Sequence, residues 1–211
     1  MTVDVRVCFL GDSFVAGVGD PQHLGWAGRL AAHSHTRGQA LTGYNLGVRR
    51  DTSTDVLARW RAECAPRLPA GCHTGIVLSF GVNDTTLDGP AGQGAPRVAP
   101  DVSAANLADL LQQFPTAARS VLVVGPPPVD DEEQNERIAD LDAAFGAVCA
   151  LHDTPYVSVL PALRVDEVWR RQVREGDGAH PGAEGYQALT ALVLPAWQTF
   201  SADVRTHPSR P

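Results

Sequence analysis

Ser13, Asp177 and His180 are the residues in this chain whose types and surroundings could do covalent chemistry. Ser13 stands in G-D-S-F, directly after a short apolar run, V-D-V-R-V-C-F-L. A buried strand that ends in Gly-Asp-Ser presents a hydroxyl at the rim of a sheet. A serine hydroxyl is a poor nucleophile until a base takes its proton. His180, in D-G-A-H-P, is the best placed of the seven histidines for that work. Asp177, three residues earlier, can fold back within one turn and accept from the imidazole, fixing its tautomer. Taken alone, D-x-x-H reads as a helix-entry turn with Asp or His as a cap; beside a strand-end serine it reads as base and orienter.

Acyl transfer also needs donors aimed at a developing oxyanion. The Ser13 backbone N–H, the Gly47 N–H in N-L-G and the Asn83 side-chain amide in G-V-N-D can supply three. Taken singly, N-L-G is a strand-end turn and Asn83 a cap of local backbone. Asp12 and Asp84, each next to one of these residues, and Arg49 and Arg50, just after Gly47, are assigned to the back or the rim of the site. Two guanidinium groups there can favour an anionic or polar substrate, or be solvated arginines with no role.

The elements that must position these residues follow from hydrophobic periodicity. Strands are predicted over residues 3–10, 40–46, 74–80, 120–125 and 156–160. Helices are predicted over 26–33, 53–64, 102–113, 133–152 and 183–200, with a further partly helical stretch over 165–174. Alternation of this kind predicts a three-layer α/β/α fold around a five-stranded parallel sheet, flavodoxin-like, in the order 2-1-3-4-5. In that order the loops carrying Gly47 and Asn83 flank Ser13, with strands about 4.8 Å apart. The fifth strand lies roughly 15 Å from the first. Residues 161–176 must therefore carry His180 back, and they are long enough to do so. The chain is expected to form one domain, 1–211, with about 201–211 as a flexible tail.

In order, G-D-S-F, the glycine of N-L-G, G-V-N-D and D-G-A-H-P resemble blocks I, II, III and V of the SGNH (GDSL-type) hydrolases. The matching pieces run from Gly11 to Pro181. The resemblance implies an SGNH-like fold with Ser13 as nucleophile, His180 as base and Asp177 as its orienter. It also implies an oxyanion hole of Ser13, Gly47 and Asn83. Phe14 replaces the leucine usual after the serine, an exchange expected not to touch the chemistry. No G-x-S-x-G elbow of the α/β-hydrolase kind occurs.

Composition narrows the alternatives. With 211 residues the chain can bury roughly 70% of its unfolded surface and needs no metal or disulfide to fold. A net charge of −7 argues against nucleic acid as a partner. All seventeen basic residues are arginine, so a Walker P-loop and a Schiff-base lysine are excluded. Cys8 and Cys149 read as reduced core residues, while Cys64 and Cys72 flank a loop that a disulfide could bridge. No apolar stretch reaches the ~20 residues that span a bilayer, and no leader precedes the first strand, so a cytoplasmic location is expected.

The expected activity is a serine esterase acting on small acyl esters, with no metal or organic cofactor. A thioesterase or carbohydrate O-deacetylase would use the same groups, and residues 88–100 are expected to form a mobile rim. A non-catalytic binding module and a flavodoxin-like mononucleotide binder are the competing classes.

Overall fold

The structure is a computed structural model that describes residues 3–89, 94–114 and 121–206. Five parallel strands, β1 (Val5–Gly11), β2 (Thr42–Gly47), β3 (His73–Ser79), β4 (Val121–Val124) and β5 (Tyr156–Val157), form one sheet in the order β2-β1-β3-β4-β5. The predicted order is correct.

Strand alternation builds the layers. Val5, Val7 and Phe9 of β1 face a core shared with α2 (Gly25–Thr36), α8 (Glu167–Glu175) and α9 (Ala183–Thr206). Cys8 and Leu10 face the opposite core, formed with α3 (Ser53–Cys64), α5 (Pro100–Gln113) and α6 (Glu132–Leu151). Period-2 side chains on a central strand thus feed both helical layers at once. On the first side Phe9 stacks on Trp197 with centroids 5.5 Å apart. No described helix is long and apolar enough to cross a membrane.

Three short helices complete the order: α1 (Ser13–Ala16), α4 (Val82–Thr85) and α7 (Leu160–Val165). The first two begin at the ends of β1 and β3, where the serine and the asparagine lie. The fifth strand, predicted over 156–160, stops at Val157 because Val159 already has helical φ/ψ and Pro161 sits in the first turn of α7. The stretch predicted over 165–174 is α8, whose Asp166 cap accepts from Trp169 N at 2.7 Å. The last helix continues to Thr206, into the expected tail. Ser201 and Val204 are buried, and Arg205 donates to Ala40 O at 2.9 Å. Residues 207–211 lie outside the described residues.

All four cysteines are free, and a 64–72 bridge is not formed. Cys64 ends α3 inside the core, where it pairs with Cys8, and that contact together with burial pushes the Cys8 thiol up. Cys72 instead donates to Asp4 Oδ2 at 3.2 Å.

Candidate active site

β1, β2 and β3 end side by side, with Gly11 in register with Gly47 on one side and with Ser79 on the other. Ser13 opens α1. Asp12 caps that helix, its Oδ1 accepting from Phe14 N at 2.9 Å. As the first residue of a helix Ser13 has an N–H with no intrahelical acceptor, so the turn exposes a donor beside the hydroxyl. Gly47 faces the backbone of α1: a Cβ there would lie 2.2 Å from Ala16 N and 2.7 Å from Asp12 O. No other residue lets β2 end against the serine turn.

His180 reaches this end of the sheet from the loop between α8 and α9. Ser13 Oγ donates to His180 Nε2 at 2.7 Å, and His180 Nδ1 donates to Asp177 Oδ2 at 2.7 Å. Asp177 Oδ1 accepts from Ala179 N at 3.0 Å and His180 N at 2.8 Å. Burial would raise the Asp177 carboxyl, but these bonds from the His180 backbone and ring and from Ala179 outweigh it and hold the group down at about 2. The carboxylate is therefore ionised throughout the neutral range.

The loop is kept in place by contacts outside itself. Gly19 has φ +88°, and a Cβ there would lie 2.6 Å from Pro181 O and 3.1 Å from His180 Cβ. Asp130 N donates to Gly178 O at 2.8 Å. Phe14 lies against the imidazole, ring centroids 4.8 Å apart, and stacks on buried Trp169 at 6.3 Å. Trp169 is on α8, so α8 both spans the distance from β5 and supports the loop. The substitution of Phe for Leu at position 14 thus does touch the histidine.

Of the three expected oxyanion donors, two are engaged. Gly47 N donates to Asn45 Oδ1 at 3.0 Å. Asn45 is itself tied to Val15 O at 2.7 Å. Asn83 Nδ2 donates to Asp51 O at 3.0 Å, with Asp12 Oδ2 at 3.5 Å. An incoming oxyanion must compete for or share these N–H groups.

Of the four residues assigned to the back or rim, the two carboxylates are buried. Asp12 lies beneath the site, and burial, with the nearby Asp84 and Asp51 charges adding to it, pushes it up to about 7. Asp84 accepts from Ser53 N at 2.9 Å and Ser103 Oγ at 2.7 Å, joining α3 to α5. Burial raises it too. Both stand next to a site residue in sequence, but Asp12 at the end of β1 and Asp84 within α4 each turn a buried carboxylate to local backbone or hydroxyl donors. Arg49 and Arg50 are exposed and neither guanidinium makes an ion pair among the described residues. Arg97 donates to Arg50 O at 2.9 Å, so the loop after Gly47 touches the expected rim. That rim is tied at its flanks, Asp88 N to Ala95 O at 2.9 Å and Arg97 N to Thr86 O at 2.9 Å; residues 90–93 lie outside the described residues.

Sequence reasoning missed Asn45, Asp51, Arg59 and Gly19. Asn45 had a readable signal, an Asx side chain two residues before the N–H it accepts from. Arg59, which donates to Gly11 O, Leu46 O and the Asp51 carboxylate, had none: two of its acceptors are carbonyls and the third is an acid eight residues away.

The sequence profile of the GDSL-like lipase/acylhydrolase family matches residues 9–188. A search among curated proteins found no match. Among solved structures, a lipase/acylhydrolase from Enterococcus faecalis is 22% identical, with TM-score 0.75 over 98% of this chain and 99% of its own. TesA is 25% identical, with TM-score 0.71 over 93% and 99%. A catalytic mutant of Axe2, an acetylxylan esterase from Geobacillus stearothermophilus, is 15% identical, with TM-score 0.74 over 93% and 96%. At such identities the first and third of these speak for the fold alone.

Proposed function

The chain belongs to the GDSL-like lipase/acylhydrolase family, and from that premise we propose that it is a serine esterase hydrolysing small acyl esters through an acyl-enzyme. The observation that carries the proposal is the continuous relay from Ser13 Oγ through His180 to Asp177, with both links at 2.7 Å.

In this reading Ser13 Oγ attacks the ester carbonyl carbon while His180 Nε2 takes its proton. The carbonyl electron pair moves to oxygen, which is met by the N–H groups of Ser13 and Gly47 and the amide of Asn83. Collapse of the tetrahedral species breaks the bond to the leaving alcohol, which receives the proton from the imidazolium. Water, deprotonated by His180, then attacks the acyl-Ser13 ester. The carboxylic acid leaves and the serine regains its proton. Asp177 holds the imidazole in the tautomer that can accept at Nε2 and offsets the imidazolium charge.

A carbohydrate O-deacetylase is the second reading. It would use the same Ser13, His180 and Asp177, and an open cleft of about 370 Å³ lies beside the Asp177–His180 loop. Gln172, Glu175 and the Gly176 and Gly182 backbone line it, a surface better suited to hydroxyls than to an alkyl chain. The structural likeness to an acetylxylan esterase is in keeping with this.

The test is turnover of p-nitrophenyl acetate by wild type and Ser13→Ala. The variant is expected to lose at least ~10³ of kcat, and equal rates would sink the assignment. Comparing acetylated xylo-oligosaccharide, acyl-CoA and aryl esters then separates deacetylase, thioesterase and general esterase.

A further inference from the structure

We propose that Arg59 is a positioning residue that sets two of the oxyanion donors together, Gly47 through its own peptide unit and Asn83 through Asp51. The inference rests on the ester-hydrolase reading of the site. Arg59 lies on α3, and its side chain runs back beneath the ends of β1 and β2. Nη2 donates to Gly11 O and to Leu46 O, each at 2.9 Å, and Nε donates to Asp51 Oδ2 at 2.6 Å.

Leu46 O belongs to the same peptide unit as the Gly47 N–H. A cationic donor on that carbonyl fixes the peptide plane. It also draws electron density toward oxygen, which leaves the N–H a stronger donor. The effect matters because the N–H already has an acceptor in Asn45 Oδ1, and a substrate oxyanion must compete with it. Gly11 O, the other carbonyl held by Nη2, also accepts from Val48 N at 3.0 Å. The loop that leaves Gly47 is thereby fastened to the strand that presents Ser13.

Asp51 carries the second arm. Its carboxylate is held by Arg59 and its carbonyl accepts from Asn83 Nδ2. One guanidinium therefore sits between the peptide of one donor and the anchor of another. Stability alone does not account for this placement. The pair is mostly buried, with side chains 19% and 13% exposed. Nη1 is buried with no hydrogen-bond partner among the described residues. Desolvating a cation and leaving one of its groups unpaired costs free energy that an apolar side chain would not incur.

The experiment compares Arg59→Lys and Arg59→Met with wild type. Active sites are counted by titration with a fluorophosphonate, which phosphonylates Ser13 Oγ with loss of fluoride. Lysine keeps the charge but cannot bridge both carbonyls and Asp51. The expected kcat for p-nitrophenyl acetate, per titrated site, is about tenfold lower for Lys and about 100-fold lower for Met, with KM within about threefold. Phenylboronic acid, which forms a tetrahedral adduct on the serine oxygen, should lose affinity by about the factor lost in kcat/KM. A merely structural role would reduce the number of titratable sites and leave turnover and boronate affinity per site intact. If Met does not fold, Lys decides alone. Wild-type kcat in the Lys variant, or lower kcat with unchanged boronate affinity, overturns the role of Arg59. A wild type that neither turns over the ester nor reacts with the fluorophosphonate overturns the ester-hydrolase reading instead.

Discussion

Ser13, Gly47 and Asn83 stand where three hydrogen-bonded strands end, whereas Asp177 and His180 stand on a loop that no strand supports. The first group is positioned by main chain: the register of β1 with β2 and β3, the Asp12 cap, and a glycine that lets β2 meet α1. The second is positioned by side chains: a carboxylate that is 51% exposed, the Phe14 and Trp169 rings, and a close approach at Gly19. The difference teaches where each half is vulnerable. A donor held by backbone has neighbours that partly replace it, while the base depends on one carboxylate whose two oxygens are both in use.

Once the nucleophile itself is set aside, the largest effect is expected from Asp177→Asn. The amide would present an N–H to a ring nitrogen that must itself donate, favouring the wrong tautomer. In a Ser-His-Asp site that change costs on the order of 10⁴ in kcat. The side chain is half exposed, so the folding midpoint should shift little. Measuring kcat and Tm together checks the prediction, and a variant within tenfold of wild type would mean that the loop fixes the imidazole without its carboxylate.

Asn83→Ala probes the other half. Removal of one oxyanion donor typically costs about 10²–10³ in kcat. The low end, about 10², is expected here because the Ser13 and Gly47 N–H groups remain and Arg59 still braces the second of them. KM should change much less than kcat. A loss larger than that of Asp177→Asn would invert the comparison and make the strand-borne half the more fragile one.

The strand-borne half was also the more legible. Apolar runs ending in G-D-S-F, N-L-G and before G-V-N-D fix strand ends, and right-handed crossovers fix which ends are neighbours. The loop-borne half was legible only as a D-x-x-H spacing. What brings it to the serine is α8, and the contact that matters, Trp169 on Phe14, joins residues 155 positions apart. Side-chain direction next to a strand end was less readable still. Asp12 and Asp84 each follow or precede a site residue, yet one caps α1 from below and the other ties α3 to α5. The placement of Arg59 was invisible because two of its acceptors are carbonyls, which have no residue type, and its one carboxylate partner, Asp51, is eight residues away. Where the chain did carry a local signal the reading erred through length: Pro161 marks the start of α7, and the fifth strand is shorter for it.

A further effect is expected on stability rather than turnover, and it comes from the same residue type in the two halves. Burial pushes Asp12 up to about 7, while its bonds to Ala179 and His180 hold Asp177 at about 2. The linkage signs are opposite. Asp177 favours the folded state above the ordinary carboxylate range, and that contribution fades as pH falls toward 2. Asp12 binds its proton more tightly in the folded chain than in the unfolded one. Its contribution is complete below about pH 4, declines as pH rises, and is gone above about 7, with a slope of at most about 1.4 kcal/mol per pH unit for one proton. Asn at position 12 keeps an acceptor for Phe14 N and cannot titrate. Urea midpoints of Asp12→Asn and wild type at pH 4.5, 5.5, 6.5 and 8 should therefore diverge in favour of the variant up to about pH 7 and then run parallel. Profiles parallel throughout would show Asp12 ionised in the folded chain over the whole range, compensated by Asn83 Nδ2 and the α1 N–H groups, and the buried half would then be held as the exposed half is, by a satisfied carboxylate.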